Sequence, residues 1–318
     1  MTNVDDDFQN MINSYEEEKA KAESKKSEQK PPQSDKIVKV KFEAENFALN
    51  QYGKPKVNSL KNIRIAIEND NILKNQFVFN SFTQEIEIRT PFKLRGVEIE
   101  NDGLKEVYIT AILEHFEEKY DVLFDSRLLV NVINKIAYEN KYNPVQDFME
   151  DCYKNWDKVK RARSLFPDYL GAKESDLTER MTKLFFVGAV SKVYRPHDKF
   201  DFVLDLVGGQ GSGKTTFLTK MGQGWYTDSM KNFDDKDQLV MMLRALIVND
   251  DEMAISNKIP FADLKKFITQ TVLSFRAPYG TKVENYAKNF VIARTTNHEE
   301  YQKDRTGARR FLPVHCSK

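Results

Sequence analysis

The sequence predicts an α/β protein whose C-terminal part is a phosphate-loop domain, a parallel sheet flanked by helices, preceded by a mainly helical N-terminal part. Three observations predict it. Residues 208–215 run Gly208, Gly209, Gln210, Gly211, Ser212, Gly213, Lys214, Thr215, the G-x-x-x-x-G-K-T pattern. Residues 200–207 before them pass from alternating to continuous apolar character, as a buried strand does. Two later apolar runs, within 243–249 and 289–296, end in polar residues: an acidic pair in one, two threonines and an asparagine in the other.

Composition sets the limits. At 318 residues there is room for about two domains. The formal net charge is +1, so any nucleic-acid surface has to be local rather than a global basic field. Cys152 and Cys316 lie far apart with no metal-ligand spacing, the usage of a reducing compartment. His115, His197, His298 and His315 form no pair at helical spacing, which argues against zinc. No apolar stretch approaches a membrane span, and Asp5, Asp6 and Asp7 are the opposite of a signal peptide's basic opening. The expectation is a soluble cytoplasmic protein with no membrane partner.

The elements are read in order. Residues 1–35 are rich in charged and polar side chains and predict a disordered or linker segment, too poor in apolar surface to offset ordering entropy. Residues 36–100 predict a small mixed α/β segment, with a strand at 37–42, a helix over 58–67 and two short strands around a turn in 78–88. Residues 101–196 predict a helical domain. Leu104, Val107, Ile109, Ile112, Leu113 and Phe116 trace one apolar face, and Leu128, Val130, Val132, Ile133, Ile136 and Ala137 another. Pro144 after Asn143 opens a further helix with Phe148, Met149 and Cys152 inward, and 180–193 reads as a core helix ended by Pro196. The phosphate-loop domain then occupies 197–318.

A strand feeding a glycine-rich loop into a helix points several backbone N–H groups at one spot, where the helix dipole also favours anions. Residues Gly208 to Thr215, with Thr216, are therefore expected to cradle the phosphates of a nucleoside triphosphate, ATP. Lys214 reaches the β- and γ-phosphates and the Thr215 hydroxyl holds Mg²⁺; the alternative is a glycine-rich turn with an incidental lysine. On the acidic run, Asp251 is expected to bind Mg²⁺ through water and Glu252 to polarise the attacking water, against the alternative of a solvated acidic turn. The short gap between the two motifs leaves room for one helix–strand–helix.

Asn297 ends the third run and is the candidate contact to the γ-phosphate or the water, against an ordinary strand-ending residue. Arg309 and Arg310 follow it; one is expected to act as an arginine finger across a subunit interface, unless they pair with Asp304 or Glu299 on the surface. Residues 263–268 read as an amphipathic helix. Residues 274–282 read as a hairpin whose tip carries Arg276, Tyr279 and Lys282, a cation–aromatic mixture suited to DNA, although a solvated basic turn is the commoner meaning of any one of them.

Segments 142–148, 155–157, 194–201, 208–215, 248–252, 275–280, 295–297 and 306–311, in that order, carry a family resemblance. In them the chain resembles the virulence-associated protein E family of phage and mobile-element proteins, which are similar to superfamily 3 helicases and primase-helicases. The resemblance implies an AAA+-type, homo-hexameric, ATP-driven DNA motor in a bacterial host cell, with single-stranded or forked DNA as partner and the 276–282 hairpin facing the pore. It also makes host replication proteins candidate partners. Asn249 stands where relatives carry an additional acid. The chain also stops just past 311–314, where relatives continue, so a short or C-terminally truncated variant is expected.

The first 200 residues show no cluster of catalytic acids with a nearby His, so no primase module is expected, and 104–194 is read as an oligomerisation collar or DNA-loading domain. The expected function is a helicase-type ATPase. Two alternatives stand beside it: an ATP-binding interaction protein that recruits or blocks host replication proteins, and a phosphoryl transferase, for which a finger at an interface has no use.

Overall fold

The computed structural model describes residues 46–276, 282–299 and 309–317. The strand expected at 37–42 and the segment 1–35 lie outside them, as do Tyr279 and Asp304. The chain divides into two compact units, Met1–Phe47 and Ala48–Lys318, and the elements that follow belong to the second.

Helix α1 (Leu60–Glu68) starts at Ser59, whose hydroxyl accepts the Asn62 amide. Asn62 is itself buried and fixes the preceding loop through Ala48 and Lys56 backbone groups. Strands β1 (Phe77–Asn80) and β2 (Glu85–Ile88) form the expected hairpin, with Phe77 opposite Ile88. A second hairpin, β3 (Phe92–Leu94) and β4 (Val97–Ile99), was not expected. Helices α2 (Glu106–Tyr120) and α3 (Ser126–Glu139) follow, and α3 packs on β1. Strand β5 (Lys141–Tyr142) then returns to pair with β1 in parallel, so packing runs across the break expected at residue 100.

Helices α4 (Pro144–Lys154), α5 (Leu165–Leu170) and α6 (Asp176–Tyr194) complete the helical stretch. Asn143 caps α4 and Pro144 opens it, as its fixed φ favours. The inward face is borne out only in part: Met149 packs against the core beside the buried Val145, while Phe148 and Cys152 are exposed. Phe148 instead lays its ring on Trp225, 5.8 Å between centroids.

The part from Val203 onward is a mixed α/β unit built on a five-stranded parallel sheet flanked by helices. Its elements are β6 (Val203–Gly208), α7 (Lys214–Gly222), β7 (Tyr226–Thr227), α8 (Lys236–Leu243), β8 (Ile247–Asp250), α9 (Phe261–Thr269), β11 (Val291–Thr296) and β12 (Phe311–Cys316), with the hairpin β9 (Val272–Phe275) and β10 (Glu284–Ala287) inserted. The single α7–β7–α8 excursion between loop and acidic run is the one the spacing allows. Strand order is β12-β6-β11-β8-β7, every pair parallel.

Strands covered on both faces read as continuous apolar runs, which is why β6, β8 and β11 were legible. Their side chains alternate between two cores. Leu204, Leu206, Ala293, Leu312 and Val314 meet Val145, Phe166, Phe185 and Phe217 from the helices on one face. Val203, Val248, Ile292 and Phe311 meet Leu239, Met242, Leu264 and Phe267 on the other. Helices α4 to α6 thus share a core with β6, β11 and β12, so the helical stretch has no packing break at residue 197.

Among the described residues, no helix is long and apolar enough to cross a membrane.

Candidate nucleotide-binding site

The loop leaves β6 at Gly208 and enters α7 at Lys214. Gly208 allows two strands to approach: a Cβ there would stand 2.2 Å from the Cys316 carbonyl oxygen of β12. Gly213, at the N-cap of α7, has φ 77°, the left-handed conformation that favours glycine. The open N–H groups of the first turn of α7 therefore face the loop.

Lys214 is only 7% exposed and its ammonium sits inside this turn. It donates to the carbonyls of Gly208 (2.7 Å) and Gly209 (2.8 Å), to Ser212 Oγ (3.0 Å) and to Asn297 Oδ1 (3.1 Å). Four acceptors share three N–H donors, so the charge is held by polar atoms without a carboxylate partner among these four, a setting that suits an anion. Neighbouring Cys316 is buried, and burial pushes its thiol up to about 11 despite the opposing influence of Lys214, leaving it a small protonated hydrophobe.

The acidic run divides its labour. Asp250, 1% exposed, accepts the amides of Ile255 and Ser256 at 2.9 Å each and the Ser256 hydroxyl, and so ties down the turn after β8. Asp251 Oδ1 accepts from Thr215 Oγ1 (3.0 Å), Thr295 Oγ1 (2.6 Å) and Asn249 Nδ2 (3.3 Å). Glu252 adopts φ 52° and ψ 20°, a left-handed conformation that costs a non-glycine residue on the order of 1 kcal/mol. Its N–H donates to Thr295 Oγ1 at 3.0 Å, which holds the turn.

Residues 210–216, Asp251, Glu252, Thr295 and Asn297 line one cleft of about 260 Å³. Gly208 and Gly209 do not line it; they act through the carbonyls that hold Lys214. The Thr215 hydroxyl and Asp251 carboxylate are hard oxygen donors of the kind that hold Mg²⁺ together with substrate phosphates. No group of three or more His, Cys, Asp or Glu suited to a metal occurs among the described residues.

Arg309 and Arg310 lie elsewhere. They precede Phe311, which pairs with Val203, whereas Cys316 at the far end of β12 pairs with Gly208. Five residues of strand, about 16 Å, separate them from their own loop. There they line a second cleft of about 330 Å³ with Lys199, Asp201 and Phe202, in which Arg310 Nε and Asp201 Oδ1 are buried without a hydrogen-bond partner. Within the hairpin Arg276 directly follows β9 and Lys282 precedes β10; the strands are anchored by buried Leu273 and Phe275 and by the stacked pair Phe275–Tyr286 at 4.7 Å.

Two features of the site carry little signal in the sequence. Thr295, one residue of a polar strand end in the sequence, bonds both Asp251 and Glu252. Arg294, one residue earlier, makes a bidentate ion pair with Asp205 of β6 (2.8 and 2.6 Å), both side chains buried, with its guanidinium 4.1 Å from the Phe311 ring centre. A charge inside each of two apolar runs was the available signal.

Comparison with known proteins gives three findings. No curated protein matches the chain. Two solved structures of the NrS-1 C-terminal region in the A-form apo state are similar at 14% identity, with TM-scores of 0.40 and 0.42. Each alignment takes in 76% of this chain, which spans 58% of the length of those structures. The model of the virulence-associated protein E-like domain matches residues 149–318, a stretch that holds the loop, the acidic pair, Asn297 and both arginines. With more than half of its length matched, the chain belongs to the virulence-associated protein E-like family.

Proposed function

We propose that the protein is a Mg²⁺-dependent ATPase of the helicase type that acts on single-stranded or forked DNA in the replication of a phage or mobile element. One observation carries the reading: Lys214, Thr215, Asp251, Glu252, Thr295 and Asn297 converge on one cleft from β6, β8 and β11. The strand order supports an AAA+-type core, because β11 lies between the phosphate-loop strand and the acidic strand and brings Asn297 to the cleft.

In this reading the loop amides and Lys214 bind the β- and γ-phosphates. Thr215 and Asp251 would hold Mg²⁺, which when bound would supply positive charge to the phosphate oxygens. Glu252 polarises the attacking water, and Asn297 orients the γ-phosphate. Catalysis is positioning and electrostatics, since phosphoryl transfer asks little covalent chemistry of the protein. Arg309 and Arg310, too far from their own loop, serve the loop of a neighbouring copy in a homo-hexameric ring. Arg276 and Lys282 contact the DNA backbone from the hairpin.

Steady-state ATP hydrolysis with and without single-stranded DNA tests the reading. The expected result is Mg²⁺-dependent turnover stimulated by DNA. ATP binding without any hydrolysis would replace the motor with a nucleotide-bound interaction protein acting on host replication proteins.

A further inference from the structure

We propose that Tyr169 is the platform on which the base of the bound nucleotide stacks, so that a purine lies against α5 while its triphosphate lies in the loop. The proposal rests on the nucleotide-binding reading above and names a contact that reading leaves open.

Helix α5 is short but firmly seated. Phe166 and Leu170 have no exposure at all, and Gly171 ends the helix with φ 66°. Ser317, just past β12, donates its amide to the Leu170 carbonyl (3.0 Å) and its hydroxyl to the Gly171 carbonyl (2.6 Å). Because Cys316 pairs with Gly208, the C-terminal end of α5 stands at the same end of the sheet as the phosphate loop.

Tyr169 lies at that end. The Phe217 ring of α7, one turn past Lys214, packs on Phe166 at 5.6 Å and on Tyr169 at 6.4 Å between centroids. Phe166 faces the core, whereas Tyr169, a turn nearer the loop, is 66% exposed. Its ring is thus braced at one side by Phe217 and open at the other, beside the first turn of the helix that receives the phosphates.

The other exposed aromatic rings among the described residues offer less. Tyr138 is covered by the Lys141 ammonium at 3.4 Å, Trp156 by Lys158 at 5.0 Å and Phe148 by Trp225. Tyr52 lies on the loop that leads into α1, in the part of the chain before the phosphate-loop sheet. A braced, open ring presents a π face without further ordering cost, which is what stacking requires.

The test compares wild type, Tyr169→Ala and Tyr169→Phe by calorimetric titration with ATP and, separately, with inorganic tripolyphosphate, both with Mg²⁺. Tripolyphosphate carries the phosphates without the base. Tyr169→Ala is expected to lose about tenfold in ATP affinity, the size of one stacked aromatic pair, and to keep its tripolyphosphate affinity. Tyr169→Phe is expected to keep both. Wild-type affinity for ATP in Tyr169→Ala, or equal loss of both ligands, overturns the proposal while the phosphate loop stands. Wild-type protein that binds neither ligand overturns the loop reading and this proposal with it.

Discussion

The Lys214 ammonium lies 3.1 Å from the side-chain oxygen of Asn297, a residue 83 positions further along the chain. Register makes the contact: Thr296 of β11 stands opposite Val207 of β6, so Asn297 follows at the level of the loop. The same strand delivers Thr295 to Asp251. A one-residue slip of β11 would turn both side chains to the opposite face. The buried Arg294–Asp205 pair sits in that ladder, at positions that face each other across β11 and β6. A slip would leave both buried charges uncompensated, a cost of several kcal/mol.

Glu252 lines the cleft, and its backbone turn is held by Thr295 whatever its side chain carries. Glu252→Gln is expected to keep ATP affinity within about twofold and to slow hydrolysis about a hundredfold, because a water-polarising carboxylate is used only on the way to the transition state. Binding assays and turnover measured side by side check this. Parallel loss of both would mark Glu252 as a fold or metal-binding element.

The position of Arg309 and Arg310, at the opposite end of β12 from the loop, leads to a mixing experiment. Alanine at either finger candidate is expected to leave ATP binding intact and to remove most turnover, by about a thousandfold for the true finger. Combining Lys214→Ala protein with the inactive arginine variant pairs some good loops with good arginines, and partial activity returns. Joint oligomers without activity would make these arginines structural.

Gly208→Ala is expected to destabilise the protein by about 1–3 kcal/mol, because the new methyl meets a backbone carbonyl that cannot rotate away. Gly209 has nothing within 4 Å of the corresponding position, so Gly209→Ala is the control. Thermal denaturation of the two variants should separate them by several degrees.

Lys288 is buried, and burial lowers its ammonium from 10.5 to about 7, with Lys192 lowering it further and Asp201 opposing. Its Nζ donates to the carbonyls of Phe267 and Ile268 at 3.0 Å each, which a neutral amine with two N–H groups can satisfy. The unfolded chain keeps its proton to a higher pH than the folded one, so stability rises from about pH 7 towards 10.5 and the penalty is complete below 7. Between pH 7 and 9 the gain is expected to be on the order of 1–2 kcal/mol, and Lys288→Met should abolish that rise. Chemical denaturation across this range reads it directly; equal slopes in both proteins would contradict it.

Much of the site was legible because its chemistry sits at strand ends. Apolar runs announced β6, β8 and β11, and the polar residues that close them are those that line the cleft. What was missed had weak local signals. Strands β3 and β4 have three residues each, too short to show alternation; only Arg95 and Gly96, both at positive φ, mark their turn. In α5, Pro167 reads as a breaker yet falls within the first turn, where it is tolerated. The Arg294–Asp205 pair needs the strand order before either charge has a neighbour. In α4 Met149 turns to the core as the sequence predicts, but Phe148 packs on Trp225 rather than into the core.

The cleft around Lys214 is expected to bind a nucleoside triphosphate. Equilibrium titration of wild type and Lys214→Ala with MgATP tests it most directly. Saturable one-site binding by wild type, with affinity lowered at least a hundredfold in a Lys214→Ala protein that keeps its native circular dichroism, is the predicted result, since a buried charge-assisted partner of the phosphates contributes about 3 kcal/mol. Nucleotide affinity in Lys214→Ala equal to that of wild type would contradict it.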